Sequence, residues 1–71
     1  MKQTKDERAA MCLLYALRCI SEARFALVDA SFYRTLNRPQ KLKQAEREYA
    51  HEVRRAARWI KRADALTEKM P

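Results

Sequence analysis

The sequence predicts an all-α fold: two helices of similar length folded into an antiparallel hairpin. Three observations carry the prediction. Glycine is absent, a single proline (Pro39) interrupts the interior of the chain, and apolar residues recur at spacings of three and four on both sides of it. Sheets need turns, and turns draw on glycine and proline. Twelve alanines, together with many Leu, Arg, Glu, Lys and Gln residues, favour helix throughout. Seventy-one residues make one domain, read as a single unit over 1–71.

The first helix is predicted over about residues 5–36. Thr4-Lys5-Asp6-Glu7 fits a capping box, in which the threonine hydroxyl and the glutamate carboxylate satisfy each other's backbone amides. Asp6 and Glu7 also place negative charge at the positive end of the helix dipole. The stretch Ser31-Phe32-Tyr33 is the weakest before the break. Asn37-Arg38-Pro39 supplies that break: proline disfavours helix at Arg38 and suits the first turn of a new helix. Asn37 tolerates the left-handed geometry that closes a helix. The second helix then runs over about 39–69. A single kinked helix is the alternative, but equal lengths around the two-residue connection at 37–38 favour a hairpin.

The faces of the two helices differ. In the second, Leu42, Ala45, Tyr49, Val53, Ala56, Ile60, Ala63, Leu66 and Met70 form one stripe, with Trp59 on its shoulder. The first carries two. Leu13, Ala16, Ile20, Ala23, Leu27 and Ala30 make the stripe expected to meet the second helix, with Ile20 near Ala56, Leu17 near Trp59 and Leu13 near Ala63. Leu14, Leu17, Phe25, Val28 and Phe32 make another, continuing towards Leu36. One neighbour cannot hide so wide a surface. On this reading the second helix is satisfied by the hairpin and the first is not.

A chain this short has a marginal core and needs a staple. Cys12 and Cys19 are seven residues apart, which in a helix is about 10 Å, too far for a disulfide. With His51 as the one histidine, no zinc pattern is present. Oligomerisation is the staple left. The expectation is a homodimer forming a four-helix bundle, with Leu14, Leu17, Phe25, Val28 and Phe32 at the interface; a different protein occupying the same face is the rival. Unpaired small thiols, a polar N-terminus and the lack of a long apolar run point to the cytoplasm, without membrane insertion.

The net charge of +7 is concentrated in the second half. Arg54, Arg55, Arg58, Lys61 and Arg62 form a run with no acid among them. With Trp59 and Tyr33 as aromatic anchors, this run is the candidate partner-binding surface, suited to an acidic protein. A nucleic-acid backbone is the alternative partner, and a merely solvated face is the simplest reading of all. His51, flanked by Glu48 and Glu52, reads as a solvated side chain. No nucleophile is paired with a base, and no cofactor or metal motif is present, so no enzymatic activity is expected.

The capping box at Thr4–Glu7, the single Asn37-Arg38-Pro39 turn and the over-apolar first helix together give an outline. In that outline the chain resembles the small helical-hairpin proteins encoded by bacteriophages and mobile elements. The resemblance implies stoichiometric binding that inhibits or modulates a host factor, such as a transcription regulator. The expected function is therefore a non-enzymatic, protein-binding regulator or inhibitor acting as a homodimer.

Overall fold

A computed structural model describes residues 2–67, which fold into two antiparallel helices, α1 (Lys5–Thr35) and α2 (Pro39–Thr67). The predicted end of the second helix at 68–69, and Met70 of its stripe, lie outside the described residues.

Each end of α1 is closed by its own sequence. The Glu7 amide donates to Thr4 Oγ1 at 3.1 Å, and the Thr4 amide donates to Glu7 Oε1 at 3.0 Å. The backbone N–H of Thr4, and then its hydroxyl-bearing side chain, hold the Glu7 carboxyl below the ordinary glutamate range. At the other end helix persists through Ser31-Phe32-Tyr33 to Thr35, with Thr35 Oγ1 donating to the Ser31 carbonyl at 3.0 Å. Leu36 caps it, and Asn37 takes the left-handed conformation at φ 55°. The Arg38 amide then reaches back to the Tyr33 carbonyl at 2.9 Å, and the Leu42 amide to the Arg38 carbonyl at 2.9 Å. Proline at the first position of α2 loses nothing, because that amide has no helical partner.

The seam between the helices is built almost wholly from the smallest side chains. On α1 it is Ala9, Cys12, Ala16, Cys19, Ala23, Ala26 and Ala30, alternately three and four residues apart. On α2 it is Ala45, Ala56 and Ala63, with Leu42, Glu52, Trp59 and Leu66 half-buried in the same column. Alternating steps of three and four are the seven-residue repeat of a coiled coil. Small residues in the repeat let two helices approach closely, so that backbone and Cβ atoms make the contact. Cys12 and Cys19 are free thiols buried in this seam.

This overturns the predicted contact face. Leu13, Ile20 and Leu27 do not pack into the hairpin; they are 46%, 40% and 52% exposed, and the helix is turned by one residue to bring Cys12, Cys19 and Ala26 inward. Ala16, Ala23 and Ala30 belong to both stripes and stay inside. Tyr15, not Leu17, meets Trp59, and Cys12, not Leu13, joins Ala63. The physical reason is reach. A leucine column would hold the helices apart and leave the alanines of α2 without neighbours, whereas Ala and Cys against Ala close the gap along the whole length.

The result is a plate one helix thick. Its extents are 51 × 27 × 13 Å and its radius of gyration is 16.1 Å, against about 11 Å for a compact chain of this length.

Candidate functional site

A plate of two helices has two broad faces, and the seam repeat assigns residues to each. Leu13, Ile20 and Leu27 each follow a seam residue of α1 by one position. Val53 and Ile60 do the same on α2, after Glu52 and Trp59. All five therefore project on the same side of the plate. Leu17 extends this face outwards on α1, and Ala50 and Ala57 extend it on α2. Val53 and Ile60 are 44% and 39% exposed. The second helix is thus not satisfied by the hairpin; it shares an apolar face with the first. The ion pair between Arg34 and Glu46, at 3.9 Å and largely solvated, sits at the turn end of this side.

The opposite face is charged and aromatic. It presents the residues that precede the seam positions: Arg8, Tyr15 and Glu22 on α1, Arg55 and Arg62 on α2. Behind them stand Arg18 and Arg58. Tyr15 and Trp59 pack across the seam with ring centroids 4.8 Å apart and planes at 40°. The Arg62 guanidinium lies 5.6 Å from the indole centroid. A shallow depression beside them is lined by Arg55, Arg58, Trp59, Lys61 and Arg62. It adjoins a second one that includes Tyr15, Arg18, Glu22 and Glu52. Arg55 is not free in this arrangement, since it bonds Glu52 at 3.1 Å.

The structure thus sorts the predicted partner-binding residues. It brings Arg55, Arg58, Trp59, Lys61 and Arg62 together around one depression and leaves Arg54 out of it, on the outer edge of α2. Tyr33 is near the turn, half-buried, with Phe32 at 5.8 Å and the Lys41 ammonium 5.6 Å from its ring; it is remote from Trp59. The predicted interface residues Leu14, Leu17, Phe25, Val28 and Phe32 are all exposed, from 57% to 69%. They spread around the outside of α1, and Phe25 and Phe32 lie beyond the apolar broad face. Sequence reading missed Leu13, Ile20, Leu27, Val53 and Ile60 as exposed surface, and Tyr15 as the partner of Trp59. The signal for them was the unbroken Ala/Cys repeat from Ala9 to Ala30.

His51 is exposed on the charged side of α2. Among the described residues no group of His, Cys, Asp or Glu is arranged to hold a metal ion, and no helix is long and apolar enough to cross a membrane. No protein family, curated protein or solved structure gives a significant match to this chain.

Proposed function

We propose that this chain is a non-enzymatic, protein-binding regulator that works as a homodimer, two hairpins pairing through their apolar faces into a four-helix bundle. One observation carries the reading: among the described residues every buried one is alanine or cysteine, while fourteen large apolar side chains remain exposed. Burying a Leu, Ile or Phe contributes about 1.5–3 kcal/mol. The hairpin alone forgoes most of that contribution, and a stable fold needs a second layer.

The surface area agrees in magnitude. A compact monomer of 8.4 kDa presents about 4,600 Å², whereas the chain presents 6306 Å². The excess, on the order of 1,700 Å², is what one subunit buries in an obligate homodimer. The central contacts would be Leu13, Leu17, Ile20 and Leu27 with Val53 and Ile60, and Leu14 and Val28 would border them. Cys12 and Cys19, free and buried, suit a reducing cytoplasm.

Regulation by stoichiometric binding is the role of the phage and mobile-element hairpins that the chain resembles in outline. It is also what a plate with one sticky face and one charged, aromatic face is equipped for. Thermal unfolding followed by circular dichroism over about a hundred-fold range of concentration tests the pairing, since the midpoint of an obligate dimer rises with concentration. A concentration-independent midpoint contradicts it. Affinity capture tests the rest. A protein recovered in stoichiometric amount supports regulation by binding, and nucleic acid recovered in its place supports the alternative reading of the basic face.

A further inference from the structure

We infer that the charged broad face is a docking site for an acidic helical segment of another protein, with the Tyr15–Trp59 pair as its apolar anchor and Arg58 and Arg62 as its carboxylate ligands. The inference rests on the pairing proposed above in one respect only: pairing through the apolar faces leaves this one outward.

Charge complementarity selects the occupant. Arg58, Lys61 and Arg62 gather beside a half-buried indole, and neither Arg58 nor Lys61 makes an ion pair among the described residues. The Arg62 guanidinium lies 5.6 Å from the indole centroid, so a carboxylate bound by it would sit beside the aromatic pair. Arg58 and Arg62 are one helical turn apart, about 6 Å along the axis. Carboxylates at positions i and i+4 of a facing helix match that separation. The aromatic pair between the two helices offers a large, rigid apolar surface ringed by cations, the composition of an interface hot spot.

The same geometry disfavours a nucleic acid. Glu22 and Glu52 line the depression that continues from the basic one, so a phosphate chain running along the groove would meet carboxylates. A protein segment acidic at one end and apolar in the middle avoids that conflict, with its carboxylates at Arg58 and Arg62 and its apolar part on the Tyr15–Trp59 pair.

Trp59 is the only tryptophan, so its fluorescence reports on this site alone. The probe is a synthetic, tryptophan-free helical peptide carrying Glu pairs four residues apart beside leucines. Its controls are the same peptide with Lys for Glu and a short single- and double-stranded DNA. Saturable change in Trp59 emission with the Glu peptide alone is expected, weakening with salt. Arg58→Gln and Arg62→Gln are expected to lower the affinity about ten-fold each, and Arg54→Gln less than about two-fold. An equal response to the Lys peptide, no saturable response to the Glu peptide, or tighter binding of DNA with a steep salt slope overturns the inference. Sedimentation of the same samples separates the two proposals. Peptide binding by a monomer removes the pairing alone, and a dimer that ignores the peptide removes the docking site alone.

Discussion

The rings of Tyr15 and Trp59 lie 4.8 Å apart, centroid to centroid, and they are the largest side chains joining α1 to α2. Most of the rest of the seam is alanine and cysteine, so this contact fixes the register of the hairpin near its open end. Tyr15→Leu keeps an apolar side chain but removes the ring-on-ring geometry. We expect a loss of about 0.5–1.5 kcal/mol beyond any change in buried area, together with a shift of Trp59 emission, measured by urea unfolding. An unchanged midpoint and spectrum would mean the pair is incidental.

The small residues of the seam predict an inverted response to size. Here the helices approach through their smallest side chains, so no space is left for a longer one. Ala16→Leu or Ala23→Leu should cost about 1–3 kcal/mol by overpacking, although leucine is the better buried residue by transfer. The same change at the solvated Ala65, outside the seam, should cost almost nothing. Thermal melts of the three variants check the contrast.

Acid should loosen the start of α1. The Glu7 carboxyl titrates below its ordinary range because its charged form accepts the Thr4 amide. Its contribution is therefore complete above the unfolded value of about 4.3 and is lost as pH falls through the lowered one. Protection of the Thr4, Glu7 and Arg8 amides, taken as the exchange rate relative to the intrinsic rate at each pH, should fall below that range in the native chain. In Glu7→Gln the same amides should show no such dependence, since a neutral amide makes the reciprocal bond at every pH.

The turn makes its own prediction. Asn37 has φ 55°, where a β-branched residue is strained. Asn37→Val should lower stability by about 1–2 kcal/mol, while Asn37→Gly should leave it near its native value. Equal stability of the two would show that the connection can rearrange.

Much of the hairpin was legible because its signals are local. Thr4-Lys5-Asp6-Glu7 and Asn37-Arg38-Pro39 announce a start and a break through the chemistry of a few adjacent residues. The choice of contact face was not legible in that way. Leu13, Ile20 and Leu27 carry the stronger hydrophobic signal than Cys12, Cys19 and Ala26, and hydrophobicity alone puts them inside. What decides is the distance between axes, a property of two helices together. Alanines at 56 and 63 accept small neighbours, and the large residues are then displaced to the broad face. The basic cluster was visible as a run from Arg54 to Arg62. Only the fold separates Arg54, on the outer edge, from Arg58 and Arg62 beside Trp59, and sets Tyr33 far from both.

The apolar face, with Ile20 at its middle and Val53 across the seam, is proposed to be covered by a second copy of the chain. Sedimentation equilibrium of the pure protein at low micromolar concentration tests it directly, with Ile20→Glu as the companion variant. The expected result is a particle of about twice the 8.4 kDa chain mass, and loss of both the dimer and most helical content in the variant. A fully helical 8.4 kDa monomer, indifferent to a carboxylate at position 20, would contradict it.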